Sequence, residues 1–340
     1  MWIADQWKDY EVLDCSSGEK LERWGEYTLL RPDPQVIWST EKKLSQWKRL
    51  NGHYHRSKSG GGEWEFHDLP KEWTIEYKLG DSLVSQLQKE RESVILSEAK
   101  DLKSSTLVFH LKPFAFKHTG LFPEQAVNWS WFYPLIRKAK DAGREVRVLN
   151  LFAYTGGATI AAAAAGANVT HVDASKGMVT WAKENAVSSG LAEAPIRWLV
   201  DDCMKFVERE IRRGKTYDAI IMDPPSYGRG PKGELWKLED LVFQLLQRCS
   251  ELLSDRPLFF LINSYTTGLQ PAVLSYMLHT AVLQPWRERV GAGSKEMKEA
   301  DRQTEDKKSD VATVTAEEIG LPVTATGLVL PCGASGRIEF

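Results

Sequence analysis

Two hydrophobic patterns divide the chain. Up to about Phe116 the apolar positions fall in short aromatic and β-branched runs, EYTLLR, QVIWS, EWTIEYKL and TLVFHLKPFAF, separated by turn signals such as RPDP and SGGGE. Runs of that length and composition between turn residues predict antiparallel strands in a small β-rich domain. Beyond them, VRVLNLF, NVTHVDA, IRWLVDD, YDAIIMDPP and PLFFLINS are apolar, strand-like runs. Between these lie GATIAAAAAG, KGMVTWAKENAVSSG, CMKFVEREIRRG and LEDLVFQLLQRCSELLS, which read as helices. Strands alternating with helices predict right-handed βαβ crossovers and a parallel sheet, an α/β architecture. The last run, ATGLVLPCGASGRIEF, comes after no such helix and predicts an antiparallel final strand. The expected division is a β-rich unit over residues 1–116 and an α/β unit over 117–340.

Two segments interrupt this scheme. Residues 81–106 space Leu83, Leu87, Val94, Ile95 and Leu102 near helical intervals and predict a helical insertion. Residues 288–310 are polar, charged and almost without large apolar side chains, which predicts a flexible surface loop. Insertions of that kind cost little in closure entropy.

Charge and cysteine usage narrow the classes. The formal net charge of −2 supplies no global field for nucleic acid, so any such binding has to come from a local patch. Cys15, Cys203, Cys249 and Cys332 are scattered, with no CxxC pair, which argues against a zinc site and a disulfide scaffold and suits a reducing compartment. No metal is expected. The N-terminal MWIADQWKDYE carries acids where a secretory leader needs an apolar run. Apolar runs such as LFFLI are far short of the roughly 20 residues that span a bilayer. A cytoplasmic protein with no membrane partner is expected.

The chemistry concentrates at strand ends. VLNLFAYTGGAT runs from a buried strand through Thr155, Gly156 and Gly157 into an alanine-rich helix. Glycine there lets a ligand approach the backbone, and the helix start offers unpaired N–H groups. The paired glycines are not the GxGxxG dinucleotide fingerprint, and a tight turn of purely structural purpose fits this stretch alone. The acids at the next strand ends add weight by their order. Asp173 ends the second strand, where an acid can accept both ribose hydroxyls, and Asp202 ends the third, where an acid can accept an adenine amine. The fourth ends in Asp223-Pro224-Pro225-Ser226-Tyr227.

The series FAYTGG, VDAS, DDC and DPPSYG resembles class I S-adenosylmethionine-dependent methyltransferases. Within them it resembles the bacterial 23S ribosomal RNA methyltransferase family that includes the cytosine-C5 and guanine-N7 enzymes of the large subunit. The upstream segment HTGLFPEQ is similar to that family's entry into its catalytic domain. The resemblance implies a Rossmann-like sheet of seven strands and S-adenosyl-L-methionine as cofactor. It implies cofactor roles for Gln125, Phe152, Thr155, Gly156, Asp173, Asn185, Asp202 and Asp223, with Gly157 in the same loop.

The DPPSYG loop is the expected catalytic feature. Paired prolines remove donors and turn carbonyls outward as acceptors, and the resemblance to amine-methylating relatives implies that this geometry positions a target nitrogen in line with the donor methyl. Tyr227 can stack on a base drawn out of an RNA loop, or pack on its own loop. Cytosine-C5 chemistry needs a cysteine thiolate. The resembling enzymes carry it just after the fifth strand, where this chain has Asn263-Ser264-Tyr265-Thr266-Thr267. Cys332 is the remaining candidate, against a reading as a buried bystander. For RNA, ribosomal by the resemblance, the candidate grip is Lys48, Arg49 and Arg56 with Lys42, Lys43 and Lys58, interleaved with Trp47, His53, Tyr54 and His55. A solvated loop beside a tryptophan-rich core is the plainer reading. Methylation of a protein or small molecule, or binding of RNA or cofactor without turnover, remain open as alternatives.

Overall fold

The computed structural model describes residues 1–57, 61–80, 105–114, 117–266, 268–297 and 312–340. The chain begins with β1 (Trp2–Ile3), then β2 (Tyr10–Ser16), β3 (Glu19–Trp24), β4 (Tyr27–Pro32), β5 (Gly52–Arg56) and β6 (Gly62–Phe66). Strands β2 to β6 form a five-stranded sheet in sequence order. Ser17 and Gly18, at φ 55° and 83°, turn β2 into β3 by the left-handed backbone that matches strand twist in a two-residue hairpin. The sheet's pairings are antiparallel, as expected, except β4 with β5, which is parallel. A separate antiparallel ribbon pairs β7 (Trp73–Leu79) with β8 (Ser105–Leu111). In β7 the residues alternate buried and exposed without exception, as WTIEYKL requires of a strand with one face inward. QVIWS is not a strand. Pro34 stands before it, and the Val36 and Trp38 carbonyls accept from Gly18 and Ser17 of the hairpin turn rather than from a ladder.

The α/β part opens with α1 (Ala126–Asp141), then β9 (Arg147–Leu151), α2 (Gly157–Ala164), β10 (Asn168–Asp173), α3 (Lys176–Ser188), β11 (Ile196–Val200) and α4 (Cys203–Arg212). It continues through β12 (Ala219–Met222), a short hairpin of β13 (Tyr227–Arg229) and β14 (Leu235–Lys237), α5 (Leu238–Glu251) and β15 (Phe259–Ser264). Helix α6 (Pro271–Met277) passes through a wide turn, Leu278–Leu283, into α7 (Gln284–Met297), and β16 (Thr313–Pro322) and β17 (Val329–Glu339) end the chain.

The main sheet runs β11-β10-β9-β12-β15-β17-β16-β1. β17 is antiparallel to both β15 and β16 and the other pairings are parallel, so the expected antiparallel final strand is present. The sheet has eight strands where seven were expected, because Trp2 and Ile3 pair with Ile319 and Gly320 at its edge. Two residues without a turn signal on either side carry little pattern in the sequence.

Helix α1 was not among the expected elements, although Trp129, Phe132, Tyr133 and Ile136 make a buried stripe at helical spacing. Glu288 to Met297, expected as loop, belong to α7, which continues the chain from the buried turn Leu278–Leu283 despite Gly291 and Gly293. Residues 298–310 of that expected loop lie outside the described residues. So does the expected insertion at 81–106, except for Ser105 and Thr106, which begin β8.

One apolar core joins both parts. Trp24 and Leu29 of the first sheet, Ile75 and Phe109 of the ribbon, Phe132 of α1, and Val148 and Leu261 of the main sheet belong to it. A second core lies on the other sheet face under α4, α5 and α6. The N-terminal sheet is thereby fixed against the main sheet, beside the carboxyl ends of its strands. Among the described residues no helix is long and apolar enough to cross a membrane.

Candidate active site

A cavity of about 510 Å³ opens at the carboxyl ends of the parallel strands, where folds of this kind bind ligands. Its walls include Phe152, Asp173, Asp202, Asp223, Pro224, Pro225 and Ser226, all expected as site residues. A smaller cavity of about 50 Å³ adjoins it, lined by Gln125, Thr155 and Gly157, and shares Phe152 and Asp223 with the larger one.

The loop after β9 is the most strained backbone of the α/β part. Phe152, Tyr154 and Gly156 have φ of 55°, 49° and 86°. Left-handed backbone costs a residue with a side chain on the order of 1–2 kcal/mol, and such strain clusters at ligand sites. Several bonds hold the loop there. Tyr154 N donates to Asp173 Oδ2 at 2.8 Å, Phe152 N to Cys203 Sγ at 3.4 Å, and Thr155 Oγ1 to the Gly120 carbonyl at 2.5 Å. Asn185 does not line either cavity. Its Nδ2 donates to the Thr155 carbonyl at 2.9 Å and its Oδ1 accepts from His110 N at 2.8 Å, so it clamps α3 between the loop and β8. Gly156 also supports rather than lines: a Cβ there would come within 2.9 Å of the Ala182 Cβ.

The acids differ in what they leave free. Asp173 takes one backbone N–H on each oxygen, from Tyr154 and from Ser175, both at 2.8 Å. One lone pair per oxygen remains, and burial raises its pKa. Asp202 caps α4 through Oδ1, which accepts from Lys205 N at 2.9 Å. Its Oδ2 faces the Gly230 backbone, where a Cβ would approach to 3.0 Å. Phe152 and Trp236, ring centroids 4.9 Å apart, form an apolar wall beside it. Paired hydroxyl acceptors, an acceptor with a free oxygen and an aromatic wall within one cavity fit the ribose and adenine of a nucleoside cofactor.

Asp223 sits half-buried on the wall shared by both cavities. Burial, and then the charge of Glu124, push its carboxyl up to about 7. Glu124 is itself buried and raised, chiefly by desolvation. It precedes Gln125, whose Nε2 donates to Tyr265 Oη at 2.7 Å and whose Oε1 accepts from Asn128. Asn128 ties this corner to Asn263 and Ser335 at 3.0 Å each. The sequence alone assigned no role to Glu124, Tyr154, Tyr265 or Trp236. An acid inside the apolar run LFPEQAV is the one signal that could have drawn attention to Glu124.

The proline loop behaves partly as expected. The Pro225 carbonyl does not point free; it accepts from Trp236 Nε1 at 2.6 Å, because the β13–β14 hairpin folds back over it. The Pro224 carbonyl accepts no hydrogen bond among the described residues. Tyr227 is 57% exposed and lies outside both cavities, so it does not pack down on its own loop. Cys332 does reach the larger cavity. Its Sγ donates to the Leu330 carbonyl at 3.4 Å, and burial holds the thiol far above its ordinary pKa, the opposite of what a thiolate nucleophile needs.

Lys48, Arg49 and Arg56 are exposed on the N-terminal sheet, but the neighbouring aromatics are not free to stack. Tyr54 is buried, and Trp47 donates to Asp14 at 2.9 Å while Lys42 covers its ring at 4.1 Å. His53 pairs with Glu19 at 3.2 Å and His55 with Glu65 at 2.8 Å. His53, His55 and Glu65 also bring ligand atoms within 4.8 Å of one another, the one group among the described residues with the composition of a metal site.

A family model described as S-adenosylmethionine-dependent methyltransferase matches residues 76–274. The chain is 33% identical to an S-adenosylmethionine-dependent methyltransferase from Agrobacterium tumefaciens, with a TM-score of 0.76 over 97% of this chain and 90% of that one. A protein from Streptococcus mutans with a provisional assignment of the same kind superimposes at TM-score 0.61 over 98% of this chain and 76% of its own, and at 15% identity shows the fold alone. Among curated proteins, the chain is 30% identical over 190 residues to the ribosomal RNA large subunit methyltransferase K/L of Shewanella frigidimarina. That match covers 54% of this chain but only a quarter, 25%, of the relative's length.

Proposed function

The chain belongs to the S-adenosylmethionine-dependent methyltransferase family, and from that premise we propose that it methylates ribosomal RNA at a nitrogen held against the Asp223–Tyr227 loop. The observation that carries the reading is one cavity into which Asp173, Asp202 and Asp223 all open from the ends of three strands. Asp173 would accept the ribose hydroxyls of the cofactor and Asp202 the adenine amine, with Phe152 against the ring. Gln125, Thr155 and Gly157 would line the place of its amino-acid end. When bound, S-adenosylmethionine supplies a methyl group already activated by the sulfonium charge.

What the chain itself contributes is alignment and exclusion of water. The Pro224 carbonyl and the Asp223 carboxylate would accept N–H bonds from an incoming amine and fix its lone pair towards the cofactor. Asp223, poised near neutrality beside Glu124, is placed to accept the proton the amine loses. Tyr227, exposed at the rim, would stack on the extruded base. Cys332 has no part in this scheme. The N-terminal sheet would present the RNA, as the ribosomal RNA enzymes among the curated relatives make reasonable.

The test is transfer of labelled methyl from S-adenosylmethionine to total RNA from cells lacking this gene. Label in ribosomal RNA that disappears with Asp223→Ala, while that variant still binds S-adenosylhomocysteine, is the expected outcome. Label in protein or a metabolite, and none in RNA, would overturn the choice of acceptor.

A further inference from the structure

The wall of the large cavity facing away from Asp173 and Asp202 is built by the N-terminal sheet and the segment before α1. Lys20 of β3, Arg31 of β4, Asp33, Lys117 and His118 line it. Arg31 is spent within the fold. It meets Glu22 through two bonds, at 2.6 and 2.9 Å, and donates a third to the Lys117 carbonyl at 2.8 Å. Lys20 lies between Glu22 and Asp33, at 3.6 and 3.5 Å. Arg31 and Lys20 thus have Glu22 and Asp33 within ion-pair reach, with the buried Glu124 acting on both, and Lys117 is the cation of this wall left without an ion pair. Its Nζ donates to the Pro32 carbonyl at 3.2 Å and has no carboxylate within ion-pair distance among the described residues. An ammonium held on a part-buried wall with one neutral acceptor has lost much of its water and gained no counter-charge.

We propose that Lys117 is the anchor of an anion subsite in the acceptor half of the cavity, and that the anion is a phosphodiester of the RNA strand next to the methylated nucleotide. One lysine without an ion pair matches the single charge of a phosphodiester. The aromatic floor between this wall and Asp223, with Phe122 centred 5.4 Å from His118 and 5.5 Å from Tyr265, suits the attached base. The cofactor's carboxylate is a poorer candidate. Lys117 is not among the residues of the small cavity under Thr155 and Gly157, which adjoins the helix start. Its pKa, lowered to about 8 by burial and then by Lys20, agrees with a cation awaiting a counter-ion. The other charges acting on it are Asp33, Arg31 and Glu22. This inference rests on the proposed RNA acceptor for the identity of the anion, but the subsite can be measured without turnover.

The experiment is calorimetric binding of cytidine 5′-monophosphate to protein saturated with S-adenosylhomocysteine, and of S-adenosylhomocysteine itself, for the wild type, Lys117→Met and Lys117→Arg, with thermal midpoints as a folding control. Lys117→Met should weaken the mononucleotide at least tenfold and leave S-adenosylhomocysteine within twofold; Lys117→Arg should restore the mononucleotide to within threefold. Where RNA is methylated, Lys117→Met should raise KM for RNA by a similar factor with kcat within twofold. Mononucleotide binding that depends on Lys117 without any RNA methylation would retain the subsite and discard the RNA reading. Equal loss of both ligands would assign the lysine to the cofactor and overturn the proposal, as would no loss of either. Should Lys117→Met fail to fold, sulfate binding to the wild type decides, because sulfate keeps its charge from pH 6 to about 9. Affinity that falls as pH passes about 8 supports the lysine, and affinity flat with pH overturns it.

Discussion

The two walls of the large cavity are made by different kinds of folding. On the cofactor wall each acid ends or follows a parallel strand and takes a bond from the turn or helix start just after it, Asp173 from Ser175 and Asp202 from Lys205. Tyr154, in the neighbouring strand's loop, gives Asp173 its second. The position of each acid is set mainly by a strand, a turn and a helix that follow one another in sequence. On the acceptor wall the charged groups come from β3, β4 and a segment some eighty residues later, and meet through antiparallel register. That register places Lys20 directly opposite Arg31. Like charges across a ladder repel, so the arrangement depends on Glu22 standing between them. A local wall tolerates the loss of one group, whereas an assembled one does not.

The largest effect should therefore come from Arg31→Met. It leaves Glu22, fully buried, without its main counter-charge, a loss of about 3–5 kcal/mol in denaturant unfolding. The pH dependence has a definite sign. Although burial opposes it, the charges of Arg31 and then Lys20 hold the Glu22 carboxyl down to about 2, below its unfolded value of roughly 4.3. Its contribution is therefore present above about 4.3 and fades as pH falls towards 2. The stability gap between wild type and Glu22→Gln should close over that range. A gap of less than about 1 kcal/mol at neutral pH would break the contrast between the walls.

Asp223→Asn comes next, on activity rather than stability. Methyl transfer should drop by on the order of 10²-fold with S-adenosylhomocysteine affinity retained. The wild-type rate should rise with pH to a plateau above about 7, since the carboxylate is the proton acceptor. The same raised value makes the folded state bind the extra proton between roughly pH 4 and 7, so this group lowers stability as pH rises through that window. An unchanged pH limb in Asp223→Asn would move the proton acceptor elsewhere, with Glu124 the next to test.

The same contrast explains what was legible in the sequence. The five parallel strands, the antiparallel last strand and the run of Asp173, Asp202 and Asp223 could be read because period, turn and motif are all local. Asn185 could be singled out by resemblance, yet its work as a clamp between Thr155 and His110 depends on β8, a neighbour invisible in the motif. Glu124 carries only the weak signal of an acid in an apolar run, and Lys117 carries no local pattern. Their character comes from what the fold places around them, the carboxyl of Asp223 in one case and the lack of a paired carboxyl in the other. In the basic patch the converse holds, since Trp47 and Tyr54 looked available until packing consumed them, while the charges of Lys48, Arg49 and Arg56 stay exposed.

Gly156→Ala should have a smaller, purely local effect. The substitution forces a left-handed backbone on alanine at φ 86° and drives its methyl to 2.9 Å from Ala182. A cost of about 2 kcal/mol and a weaker grip on S-adenosylhomocysteine are expected. Gly327→Ala is the control. Its φ is 68° but nothing lies within 4 Å of the new methyl, so only the backbone term, about 1 kcal/mol, remains. Equal losses at the two positions would show that crowding against α3 contributes nothing.

The smallest effect tests whether the acceptor wall is the end of a longer RNA track. Lys48, Arg49 and Arg56 are exposed and make no ion pair among the described residues, so replacing all three with glutamine should leave stability within about 0.5 kcal/mol. Cofactor affinity should not move. Each phosphate contact on a single strand contributes about 0.7 to the slope of log affinity against log salt, so three lost contacts should flatten it by about 2. Because Trp47 and Tyr54 are already packed, no stacking contribution should be lost with the charges, and affinities should converge at high salt. A flatter slope with KM alone affected would extend the acceptor wall outward across the N-terminal sheet. An unchanged slope would send the RNA over the opposite rim, where Tyr227 and Arg229 are exposed, and would leave the N-terminal sheet as a support for Lys117 rather than a platform for the strand.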